Sequence, residues 1–102
     1  MKNLIANLNK AFDNKVRLGI MSALVVNENM DFTTLKELLE VTDGNLASHL
    51  KALEKEKYIH VTKQFIGRKP NTKYEATSDG KKAFKSHIDA LEKLISGSGI
   101  GG

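Results

Sequence analysis

Gly44, Asn45, Ser48 and His49 lie close together in the stretch TDGNLASHLKALEKEKY, Thr42 to Tyr58, and offer the most legible chemistry in the chain. An amide, a hydroxyl and an imidazole can each donate or accept a hydrogen bond, and a glycine beside them keeps the surface low. Short polar groups of this kind suit the edges of bases in a duplex major groove, where every base pair shows its own donor and acceptor pattern. The same stretch carries helix signals. Thr42 or Asp43 can cap a helix, since a side-chain oxygen there accepts from unpaired backbone N–H groups. Leu46, Leu50 and Leu53 recur at i, i+4 and i+7 and so share one helical face, leaving Gly44, Ser48, Lys51, Ala52 and Lys55 on the other. A solvated face on an ordinary core helix has the same pattern, so the rest of the chain has to decide between the two.

A second chemical feature follows at once. From Lys57 to Lys73 the charged residues are Lys57, Lys63, Arg68, Lys69 and Lys73, with no Asp or Glu among them. The hydrophobic period changes here from helical to strand-like. Tyr58 to Ile66 is rich in β-branched and aromatic residues, GRKPN supplies turn chemistry, and TKYEAT reads as a returning strand. The expectation is a β-hairpin with a loop of about five residues and two adjacent cations at its tip. One-sided charge suits a polyanion; a solvated hairpin that resists edge-to-edge pairing is the plainer alternative.

Little else is reactive. The three histidines, His49, His60 and His87, have no metal-ligand spacing, and neither a nucleophile–base pair nor a phosphate-binding glycine loop is visible. No cysteine is present, which removes disulfides, thiolate metal sites and thiol redox sensing. The expectation is no enzyme, no metal and no cofactor. With 102 residues, 40% of them hydrophobic and 27% charged, the chain fits one folded domain with one modest core. Its net charge of +4 permits a polyanionic partner without requiring one. No apolar run approaches the roughly 20 residues that span a bilayer, and the opening MKNLIANLNKAF lacks a signal-peptide core. A cytoplasmic location is expected.

The elements that must position these groups can be taken in order. Residues 3 to 12 place Leu4, Ile5, Leu8, Ala11 and Phe12 at helical spacing, a short amphipathic helix. After Asp13 and Asn14 a second helix, about Lys15 to Val26, carries Val16, Ile20, Ala23 and Leu24 on one face, with Gly19 inside it suggesting a close helix crossing. Asn27 to Asp31 breaks the pattern, and Phe32 reads as a short extended piece. Thr33 or Thr34 caps a third helix with Leu35, Leu38 and Leu39 as its apolar face. That helix ends near Glu40, so close to the next that the pair must cross steeply, as a helix-turn-helix does. A last helix starts at Thr77, Ser78 or Asp79 and reaches about Ser96. Phe84, Ile88, Leu91 and Ile95 line one face, with Ala83, His87 and Leu94 beside them. The remaining SGSGIGG is expected to be a flexible tail.

This order resembles a winged-helix domain, and the residues resemble the MarR- and ArsR-type regulators directly. NKVRLGIMSAL is similar to the helix that opens their fold. TLKELLEVTDGNLASHLKALEKEKYI is similar to their helix-turn-helix, and FIGRKPNTKYEATSDGKKAF to the wing and final helix of the small single-domain members. The resemblance covers about Asn14 to Leu94. It implies an α+β fold, mainly α: a winged helix-turn-helix with a two-stranded β-wing and an added C-terminal helix, occupying residues 1–96 ahead of a tail at 97–102. It implies a transcriptional regulator that binds double-stranded DNA in a sequence-specific way. Thr42, Asp43, Gly44, Asn45, Ser48 and His49 match the groove-facing positions of the recognition helix. Arg68 and Lys69 match the wing tip, for the minor groove or flanking phosphates. Lys51, Lys55, Lys63 and Lys73 are placed for phosphates, with Thr33 and Thr34 as further donors. Relatives dimerise, and Leu4, Ile5, Leu8, Phe12, His87, Leu91, Leu94 and Ile95 are the candidate two-fold interface. Lacking cysteine, the chain departs from the thiolate metal sensors, and no effector pocket is recognisable. The competing expectation is a winged helix used for protein–protein interaction.

Overall fold

Short polar side chains start three of the helices. In the computed structural model, which describes residues 5–96, Asn14 accepts from the Val16 and Arg17 N–H groups and opens α1 (Lys15–Val26). Asp31 accepts from Thr34 N–H at 2.8 Å and opens α2 (Phe32–Leu39). Thr42 accepts from Asn45 N–H at 3.2 Å and opens α3 (Asp43–Lys55). The cap of α2 is therefore Asp31, not Thr33 or Thr34, both of which lie exposed in the first turn. That bond, with the other donors around it, also holds the Asp31 carboxyl below the usual carboxylate range.

Between α1 and α2, Met30–Asp31 forms a two-residue strand, β1. After α3 come β2 (Ile59–Ile66) and β3 (Lys69–Ala76), then α4 (Ser78–Ser96). The antiparallel sheet runs β1-β3-β2. The extended piece expected at Phe32 falls two residues earlier, because Met30 and Asp31 pair with Tyr74 and Lys73 while Phe32 already begins α2.

Two further expectations are corrected. Residues 5–12, the described part of the helix expected at 3–12, do not make an amphipathic helix. Residues 5–7 form a turn, Asn9 is extended at φ −89° and ψ 120°, and only Lys10–Phe12 makes a single 3-10 turn, which Asn9 caps. The Asn9 backbone N–H is drawn instead to His87 Nδ1 at 2.9 Å, and its side-chain amide donates to the Tyr58 hydroxyl at 3.0 Å. The hairpin loop is also shorter than five residues. Ile66 pairs with Lys69, so Gly67 and Arg68 alone make the turn. Gly67 has φ +65°, the sign a type II′ turn requires at its first central position. Pro70 sits opposite Phe65, one step past a hydrogen-bonded pair, and β1 does not reach it, so its missing N–H removes no ladder bond.

The core is built from α1, α2, α3 and the base of β2, with Phe12, Ile20, Met21, Leu24, Leu35, Leu46, Leu50, Leu53 and Ile59 buried. Gly19 meets Leu39 of α2, the close crossing its position suggested. Two joints use left-handed residues that are not glycine. Glu40 (φ 53°) ends α2 at the helix-turn-helix corner, and Lys57 (φ 64°) ends α3. At Lys57 the bonds are those of a Schellman motif, with Tyr58 N–H to Leu53 O and Lys57 N–H to Glu54 O. A side chain in this region is strained, so Glu40→Gly is expected to raise stability by about 0.5–1 kcal/mol, read from urea unfolding. A loss of stability would mean that the Glu40 side chain makes a compensating contact.

Candidate nucleic-acid interface

The apolar face of α3 is locked inward, with Leu46 and Leu53 fully buried and Leu50 nearly so. Its opposite face is consequently fixed outward. Thr42, Asp43, Gly44, Asn45, Ser48, Lys51 and Lys55 are all exposed, and nothing lies within 4 Å of where a Gly44 Cβ would be. Gly44, Ser48, Lys51 and Lys55 recur at helical spacing and form one stripe along α3. Ala47, which the sequence reading left out, is a further small exposed residue at the stripe's edge. At the start of α3, Asp43 is paired with Lys36 of α2 at 2.8 Å across the helix-turn-helix. That pairing offsets the acid at the exposed start of α3. The pair is well exposed, so its part in stability is small.

His49 is only half exposed, and its partner was missed in the sequence. Arg17 Nε on α1 donates to His49 Nδ1 at 3.0 Å. An accepting Nδ1 carries no proton, so the ring proton sits on Nε2 and is available as a donor. Burial first, and the Arg17 charge second, lower the His49 pKa. The unfolded chain thus binds more protons than the folded one between the lowered value and the ordinary histidine value. The stability linked to this shift is complete above the ordinary value and is lost as pH falls through the lowered one. Comparing wild type with His49→Gln by urea unfolding on the two sides of that window should show the steeper acid loss in wild type. Equal losses would mean that His49 takes up its proton at the same pH in the folded and unfolded chains. The sequence contained Arg17 in NKVRLGI, but nothing local ties residue 17 to residue 49.

The wing places its cations unequally. Arg68 and Lys69 are exposed at the turn, Lys63 is exposed midway, and Lys57 is exposed at the base. Among the described residues no carboxylate lies within salt-bridge distance of any of them. Lys73 differs. It is half-buried, pairs in register with Asp31, and helps hold that carboxylate ionised. Its charge is thus partly committed within the fold. Because β1 pairs only with Lys73 and Tyr74, the hairpin beyond them stands as a two-stranded ribbon. From Thr62 to Ile66 that free part is about 14 Å long. Gln64 Nε2 donates to Asn71 Oδ1 across it at 3.3 Å.

The residues assigned to a two-fold interface divide. Phe12 and His87 are buried within the chain, at 2% and 4% exposure. Phe12 packs against Tyr58, Phe84 and His87, and His87 accepts from Asn9. Both belong to the chain's own core, so a surface role is withdrawn for them. Ile5 and Ile95 are exposed at 63% and 75%, while Leu8, Leu91 and Leu94 are half-buried. Leu4 and the tail at 97–102 lie outside the described residues. No group of His, Asp and Glu side chains among the described residues is arranged to hold a metal ion.

Helix-turn-helix, cationic β-hairpin and closing helix together define a winged helix-turn-helix domain. The chain belongs to the winged helix DNA-binding domain family, whose model matches residues 16–95. It is 39% identical over 85 residues to an uncharacterized protein of Methanocaldococcus jannaschii, covering 83% of this chain and 92% of that one. Among solved structures it is similar to a transcriptional regulator homologue from Pyrococcus horikoshii OT3, with a TM-score of 0.83 and 30% identity over 95% of this chain and 94% of the other. The YusO protein of Bacillus subtilis shares the fold at a TM-score of 0.78 and 15% identity, over 91% of this chain and 65% of that one. The chain is thus a winged-helix DNA-binding domain over nearly its whole described length.

Proposed function

We propose that this chain regulates transcription as a homodimer that reads a specific duplex sequence, with α3 in the major groove and the wing on the minor groove or its flanking phosphates. The observation that carries the reading is the outer face of α3. Its small and polar residues point away from a core that holds the opposite face, so the helix cannot turn that face inward. Asn45 and Ser48 supply base-edge hydrogen bonds, and Thr42 and His49 flank them. Thr33, Thr34, Lys51, Lys55, Lys63, Arg68 and Lys69 contact phosphates, which position the protein without reading sequence.

The homodimer is supported by the exposed Ile5 and Ile95 together with half-buried Leu8, Leu91 and Leu94 at the two ends of the chain. A two-fold dimer sets two α3 helices about 34 Å apart and calls for a pseudo-palindromic site. Sedimentation at micromolar concentration should give a dimer; a monomer would remove this part of the proposal.

The test of sequence reading is a mobility-shift assay on a duplex selected from a randomised library, with scrambled duplex as competitor. Asn45→Ala and Ser48→Ala should each narrow the gap between selected and scrambled DNA by about 1–3 kcal/mol per lost base contact. An unchanged gap for both would mean that α3 makes no base readout, and would favour a winged helix serving protein contacts.

A further inference from the structure

The wing tip is apolar as well as cationic. Phe65 is 74% exposed and Ile66 59%, and both sit in β2 immediately before the turn. The cross-strand register explains why they stand out. On one face of the hairpin the pairs run Ile59–Ala76, Val61–Tyr74, Lys63–Thr72 and Phe65–Pro70. That face is packed on the core at its base, turns polar midway, and becomes apolar again at the free end, where no core remains. Ile66, paired with Lys69, occupies the other face. An aromatic ring backed by proline, with Arg68 and Lys69 three and four residues further along the chain, thus projects on a narrow two-stranded ribbon.

We propose, as a deepening of the DNA-binding reading above, that Phe65 is a wedge. Carried into the minor groove by Arg68 and Lys69, it inserts against a base step, partly unstacks it and bends the duplex. The occupant is fixed by charge: the hairpin's free part carries only cations, which disfavours an acid-poor or cationic protein surface and favours a polyanion. Apolar side chains placed beside minor-groove cations act on DNA in this way, and Phe, Ile and Pro are all suited to it. Bending then has a sequence consequence. Pyrimidine–purine steps unstack most easily, so the chain gains preference for a TA or CA step under each wing, at positions α3 does not touch.

Permanganate oxidation of unstacked thymines tests this on the library-selected duplex. The wild-type chain should raise thymine reactivity several-fold at one step under each wing, and end-labelled duplexes should report a bend by energy transfer. Phe65→Ala should still shift the duplex but lose the reactive thymines, the bend and the TA-step preference. Phe65→Leu, which keeps an apolar tip, should retain part of each. Phe65 is exposed, so both variants should melt like wild type. A wild-type complex that shifts DNA with no reactive thymine and no bend overturns the wedge alone, as does a Phe65→Ala chain that unstacks DNA as well as wild type. Absence of any shift by wild type would take down the DNA-binding reading and the wedge together.

Discussion

Gly80→Ala should destabilise the fold by about 3 kcal/mol or more, a large share of the roughly 5–15 kcal/mol that holds a domain of this size together. Gly80 lies in the first turn of α4, where alanine would ordinarily add about 1 kcal/mol through helix propensity, so the expected sign is opposite to the local one. A Cβ there would fall on the Tyr58 carbonyl oxygen, with the Tyr58 carbonyl carbon at 2.8 Å and its Cα at 3.0 Å. These are backbone atoms and cannot rotate aside. Nor can Tyr58 move freely, because it is tied on every side. Its N–H closes the end of α3 on Leu53, its carbonyl accepts from Thr77 N–H at 3.0 Å, and its hydroxyl accepts from Asn9. Thr77 in turn accepts from Gly80 N–H and donates to Lys57 O at 2.8 Å. One methyl group therefore strains the end of α3, the base of the wing and the seat of α4 together. Urea unfolding gives the answer. A variant within 1 kcal/mol of wild type would show that α4 does not sit this close to the wing's base.

Gly44→Glu should do the reverse, with stability kept or raised and DNA binding lost. Nothing lies within 4 Å of the new Cβ, and the residue is in the second position of α3. A helix former there adds about 1 kcal/mol over glycine, and an anion in the first turn adds a few tenths through the helix dipole. The same side chain stands on the stripe that faces DNA in the proposed complex. It blocks close approach and opposes the phosphates, and binding should fall on the order of 100-fold, about 2.7 kcal/mol. Thermal melting and mobility shift on the same preparation separate the two effects. Unchanged binding would show that α3 does not enter a groove by this face.

The parts of this fold that were legible in the sequence are those whose cause is local. Asn14 and Thr42 cap α1 and α3 from within two or three residues, and Leu46, Leu50 and Leu53 mark their buried face by spacing alone. The exposed stripe on α3 followed from the same spacing. The parts that were not legible depend on partners far along the chain. Residues 3–12 have helical spacing, yet Asn9 is held extended by His87, 78 residues away. The wing loop looked five residues long because GRKPN is all turn chemistry; the pairing of Ile66 with Lys69 and of Phe65 with Pro70 draws three of those residues into the strand. Arg17 bonding His49, and Gly80 against Tyr58, are likewise contacts that only the folded chain creates. His87 looked like an interface residue because it sits beside an apolar stripe; it is in fact a buried acceptor inside the chain's own fold.

The salt dependence of duplex binding bears most directly on the joint use of α3 and wing. Plotted as log K against log salt concentration, wild type should fall steeply. Arg68→Ala and Lys69→Ala should each flatten the line by about 0.9, one phosphate contact apiece, while Ser48→Ala lowers affinity for the selected sequence and leaves the slope alone. Slopes that stay the same in all three variants would contradict a wing that touches the phosphate backbone.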